Sequence, residues 1–79
     1  MNNKDKLFKI VAEVFDVRFS LININSNSNN IKNWDSLGMI NLISEIEQEF
    51  SIKFDILEIS ELQNIQIIVE FLENKGIKF

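Results

Sequence analysis

Residues 35–50 read Asp35-Ser36-Leu37-Gly38-Met39-Ile40-Asn41-Leu42-Ile43-Ser44-Glu45-Ile46-Glu47-Gln48-Glu49-Phe50, and their period decides the fold. Advancing about 100° per residue from Ser36 gathers Met39, Leu42, Ile43, Ile46 and Phe50 on one side, with Ile40 at the edge. Leu37, Asn41, Ser44, Glu45 and Gln48 turn the other way, and Glu47 and Glu49 lie on the flanks. The pattern predicts an amphipathic helix that begins at Asp35 or Ser36 and runs to about Phe50. Asp35 suits the N-cap, because its carboxylate can accept from a first-turn N–H that the helix leaves unpaired. Ser36 then falls in the first turn.

Upstream of this helix, residues 23–33 (NINSNSNNIKN) have no apolar period. Asn and Ser side chains bond to nearby backbone and compete with regular structure, so a long loop is expected. Leu21, Ile22, Ile24 and Ile31 are its expected anchors to the core. Residues 4–16 place Leu7, Ile10, Val11, Val14 and Phe15 at helical spacing, with Phe8 beside them and Lys4, Lys6, Lys9, Glu13 and Asp16 opposite. That is a first amphipathic helix. Downstream, residues 55–59 suffice only for a short helix. Asn64 can cap a last one, with Ile65, Ile68, Val69 and Leu72 as its buried stripe and Gly76 as its end. The Ile-rich run from Ile65 to Val69 resembles a strand in composition, but its period and cap favour helix. Three main helices and one short one can close a single core, an all-α four-helix bundle in one domain, residues 1–79.

Composition narrows the chemistry. The 79 residues include 46% hydrophobic ones, with 14 Ile and 7 Phe, enough for one small core. There is no Cys and no His, which excludes disulfides, thiolate metal sites, Cys nucleophiles and His bases. Gly38 and Gly76 are the two glycines, too few for a phosphate-cradling loop. No run approaches the roughly 20 apolar residues of a membrane span, and the charged start is unlike a secretory signal. A cytoplasmic protein is expected. The net charge of −4 argues against nucleic acid. Residues 1–34 carry three acids and five bases, residues 35–61 seven acids and Lys53 alone, and residues 62–79 balance. A basic partner would dock on the acidic middle, although a solvated helical face explains the same charges.

Ser36 is the residue with a chemical use. The first amides of a helix are unpaired and its dipole is positive there, a favourable field for a phosphodiester. The long loop leaves the hydroxyl reachable, and Leu37 offers an apolar surface beside it. On its own, Asp-Ser at a helix start is common, and both residues then serve only as cap and first turn.

Asp35-Ser36-Leu37 resembles the D-S-L motif at which acyl carrier proteins receive phosphopantetheine. The resemblance continues through Ile40, Leu42, Ile43, Ile46, Glu47, Glu49 and Phe50, then Ile52, and again at Leu62, Asn64 and Ile65. It spans nearly the whole chain and is weakest over residues 1–30. It implies an acyl-carrier-like bundle that is not an enzyme, carrying 4′-phosphopantetheine from coenzyme A on Ser36, with Asp35 and Leu37 beside the attachment. The arm's thiol would hold acyl or aminoacyl groups as thioesters, in fatty-acid-like or specialised biosynthesis. Implied partners are a phosphopantetheinyl transferase, an acyl- or aminoacyl-activating ligase and downstream transferases, meeting Leu37, Asn41, Glu45, Gln48 and Glu49. No metal is implied, and a monomer is expected. An aliphatic cargo would tuck against Phe50, Ile59 and Ile65.

The chain departs from the family in places. Fatty-acid carriers usually show Gly-x before the motif, where Asn33-Trp34 stands here. Acids are common at the positions of Gly38 and Asn41. These differences suggest a dedicated carrier for a specialised pathway. Trp34 before Asp-Ser also resembles carriers of amino acids, and its expected role is packing or lining the arm's exit. The competing reading is an unmodified helical docking module using the acidic face of residues 35–61.

Overall fold

The computed structural model describes residues 2–79. In chain order it contains α1 (Asn3–Phe15), a 3-10 turn (Phe19–Leu21), α2 (Ser36–Phe50), α3 (Ile56–Ile59) and α4 (Ile65–Asn74). The four helices match the expected order, and the Ile-rich run is helical. The 3-10 turn between α1 and the long loop was not legible from the period.

Each helix starts on an Asn or Asp side chain. Asn2 accepts from the Asp5 N–H at 2.8 Å, Asp35 from Gly38 at 3.0 Å, and Asn64 from Ile67 at 2.8 Å. Asp55 and Glu58 accept from each other's N–H groups in a reciprocal box. Such caps stabilise a helix by about 1 kcal/mol each, which matters where stretches are too short to hold as isolated helices. Three helices end on a left-handed residue: Asp16 (φ 55°), Ser51 (φ 54°) and Gly76 (φ 94°). Each leads to a closing bond from the next N–H, Val17 to Ala12, Ile52 to Glu47 and Ile77 to Leu72.

The core lies between α1, α2 and α4. Leu7, Val11, Leu42, Ile46, Leu62, Ile65, Ile68 and Leu72 are fully enclosed. On α1, Phe8 and Ala12 are buried, whereas Ile10 and Val14 are half-buried because they line a groove against α2. Phe50 and Val69 are also half-buried, and Ile40 is exposed. Of the four expected loop anchors, Ile22 and Ile31 are buried, but Leu21 and Ile24 are exposed. The 3-10 turn brings Ile22 to the core in place of its neighbours.

The Asn-rich loop is ordered by its own side chains. Asn23 accepts from the Asn25 N–H, Asn27 from Asn29, and Asn30 from Asn27. The loop docks on the entry to α4: the Ser28 N–H donates to the Gln63 carbonyl and the Ile65 N–H to the Ser26 carbonyl, both at 3.0 Å. At the other end of the chain, Lys75 reaches Glu58 at 3.1 Å and lies over the Phe54 ring, tying α4 to α3.

The start of α2 is held by a close approach. Asn33 has φ 73°, a left-handed conformation that Asn tolerates better than most residues. Its carbonyl turns onto Gly38, and the Phe15 ring lies there too. A Cβ on Gly38 would sit 2.7 Å from the Phe15 ring edge and closer still to the Asn33 carbonyl oxygen. Trp34 covers the other side of Phe15, with ring centroids 5.2 Å apart and planes 17° from parallel. The absence of an acid at position 38 therefore has a packing cause and carries no information about partners. Gly38→Ala should cost about 1–3 kcal/mol of stability, although alanine is ordinarily the better helix former. A urea midpoint that stayed the same or rose would contradict the close approach.

Candidate functional site at the start of helix α2

Asp35 has extended backbone (φ −117°, ψ −168°) and turns the chain directly into α2. Its carboxylate takes the Gly38 N–H at 3.0 Å and its carbonyl takes the Met39 N–H at 2.7 Å. Among the described residues, the Ser36 and Leu37 N–H groups have no acceptor within the chain. Two backbone donors and the positive end of a 15-residue helix therefore surround the Ser36 hydroxyl. No acid stands in the first turn of α2, so Asp35, already occupied as a cap, is the one carboxylate adjoining the site. Ser36 is exposed, and Leu37 beside it is 70% exposed. The three residues expected at the site are thus together: cap, hydroxyl and apolar shoulder.

A cleft of about 500 Å³ opens beside Ser36, lined by Trp34, Asp35, Ser36, Met39, Ile40, Ile59, Ser60 and Gln63. Met39 and Ile40 lie three and four residues after Ser36, so a helical wheel places them on its side. Ser60 and Gln63 arrive from the segment between α3 and α4, and no local pattern announced them. Of the residues expected to receive an aliphatic cargo, only Ile59 lines this cleft. Ile65 is enclosed in the core, and Phe50 lies at the far end of α2 against Phe79, ring centroids 6.4 Å apart.

Trp34 packs as expected, 94% removed from solvent on Phe15, but it has a second property. Its Nε1 is buried with no hydrogen-bond partner among the described residues. A buried donor left unpaired costs roughly 1–3 kcal/mol.

Asn41, Glu45, Gln48 and Glu49 are exposed along the outer face of α2. Asn41, Glu45 and Glu49, with Ser44, line a larger groove of about 580 Å³ whose other wall is α1, with Lys6, Lys9 and Glu13. The fold thus sets lysines of the basic first third beside acids of the middle third. The face is mixed in sign, less acidic than the linear charge map suggests, and this groove does not contain Ser36. Glu47, assigned only to a flank by the period, accepts from the Phe54 N–H at 2.8 Å and supports the turn after α2.

Comparison with known proteins decides what the arrangement is. The family described as "Phosphopantetheine attachment site" matches residues 5–72. The chain belongs to the acyl carrier protein family. The carrier is 29% identical over 79 residues to the acyl carrier protein of Buchnera aphidicola from Schizaphis graminum, covering 99% of this chain and 100% of that one. It is 27% identical to the acyl carrier protein of the Acyrthosiphon pisum strain, over 98% of this chain and 96% of that one. The solution structure of a holo acyl carrier protein from Geobacter metallireducens superposes with a TM-score of 0.80 at 32% identity, over 95% of this chain and 86% of that one. The chain is therefore a carrier of acyl groups on 4′-phosphopantetheine, not an enzyme. The site fits that group: an exposed hydroxyl, unpaired helix amides for a phosphodiester, and an apolar cleft alongside.

Ser36→Ala should leave the unfolding free energy within about 0.5 kcal/mol of wild type, because Asp35 still caps the helix. Asp35→Ala should lose about 1 kcal/mol. Unfolding followed by the fluorescence of the single tryptophan checks both, and a large loss in the serine variant would make Ser36 structural.

Proposed function

We propose that Ser36 is the residue on which this carrier holds its prosthetic group, and that residues 1–79 work as one carrier domain. The observation that carries the reading is an exposed hydroxyl in the first turn of α2, beside two unpaired backbone N–H groups and opposite no first-turn acid. The Ser36 Oγ would lose its proton and bond to the pantetheine-side phosphorus of coenzyme A, as the pyrophosphate P–O bond breaks and adenosine 3′,5′-bisphosphate leaves. With no His and no Cys in the chain, the base for that step comes from a phosphopantetheinyl transferase. The Ser36 and Leu37 N–H groups would hold the phosphate of the attached group, which would supply at its far end the thiol that the chain lacks. The chain's own part is to present and orient; partner enzymes supply the reactions on the thioester.

Those partners are acyl-handling enzymes, a ligase that activates the acyl or aminoacyl group and transferases that unload it. Leu37 and the α2 face of Asn41, Glu45, Gln48 and Glu49 are the proposed docking surface, with Lys6 and Lys9 across the groove. A partner matched to that mixed face would present both signs, which favours a dedicated carrier in a specialised pathway over a general one. The described helices include none long and apolar enough to cross a membrane, in keeping with work in the cytoplasm.

Incubation with coenzyme A and a broad-specificity phosphopantetheinyl transferase should add the mass of one phosphopantetheine to the wild type and none to Ser36→Ala. A folded wild type that gains nothing, or a serine variant that gains the same mass, would overturn the assignment.

A further inference from the structure

The acids of the middle third divide by what they do. Asp35, Glu47, Asp55 and Glu58 each accept a backbone N–H, so the fold itself uses them. The side chains of Glu45 and Glu49 are exposed and, among the described residues, make no hydrogen bond or ion pair within the chain. Those of Lys6 and Lys9 on α1 are equally unengaged, and all four line the groove of about 580 Å³ between α1 and α2. The two helices run antiparallel from the contact of Phe15 with Gly38, which sets these lysines opposite these acids at the end away from Ser36. Glu45 lies about 13 Å along α2 from Ser36 at roughly 1.5 Å per residue. The remaining charge, Glu13, stands with Asn41 and Ser44 at the nearer end. Between the walls, Ile10 and Val14 form an apolar floor that the two helices leave half-buried. One wall is positive, the other negative, and they stand too far apart to neutralise each other.

We propose that this groove seats one amphipathic helical segment of an acyl-handling partner, its apolar ridge on Ile10 and Val14, its acids toward Lys6 and Lys9 and its bases toward Glu45 and Glu49. The inference rests on the reading that the α2 face is a docking surface, and it adds what covers that face. A third helix laid in the seam between two uses the packing that closes helical bundles, and a helix offers an apolar ridge with a charged flank on either side. Opposite signs on the two walls also fix the segment's direction, because turning it end for end sets like charges together. The segment stays clear of Ser36. A partner held here therefore keeps its grip while the arm moves, and binds the chain equally well with or without the arm. A merely solvated face would show neither the preference for two signs nor the direction.

The probe is a synthetic helical peptide of about 18 residues, long enough to hold its helix once seated, with a leucine ridge, Glu along one flank and Lys along the other. It is titrated into isotope-labelled protein while backbone amide signals are followed in nitrogen–proton spectra. Signals of Ile10, Val14, Asn41 and Glu45 should move, alike in apo protein, holo protein and Ser36→Ala, with intact mass confirming each state. Peptides carrying one sign on both flanks should bind the wild type at least about 10-fold more weakly. Lys6→Glu with Lys9→Glu should lose binding of the two-sign peptide by a similar factor, as should Glu45→Lys with Glu49→Lys. All four substitutions together should restore it, with a spin label at one end of the peptide now broadening signals at the opposite end of the groove. Absent binding, equal affinity for the single-sign peptides, or no recovery in a folded fourfold variant overturns the proposal. The single-sign peptides decide the matter on wild-type protein even where that variant does not fold. Shifts confined to Leu37 and Gln48 would keep α2 as a docking face and remove the groove. A full mass gain without peptide binding removes this inference alone, whereas peptide binding without mass gain upholds the groove and removes the assignment of Ser36.

Discussion

The approach of Gly38 to the Asn33 carbonyl and the Phe15 ring holds the site together. It joins the end of α1, the last turn of the loop and the first turn of α2 at one point where a single added carbon has no room. Trp34 then closes over Phe15 from the loop side. Because that junction is packed, the start of α2 has one position relative to the core. The Ser36 hydroxyl, in the same turn as the junction, is displayed on a fixed platform and not on a mobile loop tip. A chain of 79 residues buries a modest share of its surface, so rigidity at the start of α2 has to come from local packing and caps.

The same junction changes how the chain's differences from its relatives are understood. Asn33 and Gly38 form a pair: the left-handed residue sends its carbonyl inward, and the position it meets must lack a side chain. An acid missing from position 38 follows from this geometry. Asn41 is different, because it is exposed in the groove between α1 and α2, where a charge would be accommodated. The lysines of α1 line the same groove as the proposed docking face, and they make it a mixed field whose attraction for a partner would depend on arrangement more than on net charge.

Most of the fold was legible in the sequence. The 3.6-residue period, with caps at Asp35 and Asn64, placed the main helices, since both signals are local and each cap acts within three residues; the caps at Asn2 and Asp55 were not read from it. The candidate serine and its neighbours were legible for the same reason. What escaped depends on distant parts of the chain meeting. The 3-10 turn that buries Ile22 and exposes Leu21 and Ile24 answers to core shape, not to period. Ser60 and Gln63 reach the cleft through the docking of the segment before α4 on the Asn-rich loop, a contact between residues 26–28 and 63–65. The charge map placed bases and acids in different thirds, and the packing of α1 on α2 brought them to one groove. The unpaired Trp34 donor had no sequence signal at all, because an orphan is defined by what surrounds it.

The central claim is that one serine, set by the Asp35 cap and the Gly38 junction, bears the prosthetic group. The chain has six other serines, and Ser26 is buried whereas Ser20, Ser44, Ser51 and Ser60 are as exposed as Ser36 by class. Holo protein recovered from cells that make it with a phosphopantetheinyl transferase can be digested with trypsin and the modified peptide fragmented. The peptide from Asn33 to Lys53 holds Ser36, Ser44 and Ser51, so fragmentation within it is decisive. The account predicts the added mass on Ser36 alone. The same mass on any other serine would contradict it, because none of those stands in the first turn of a capped long helix.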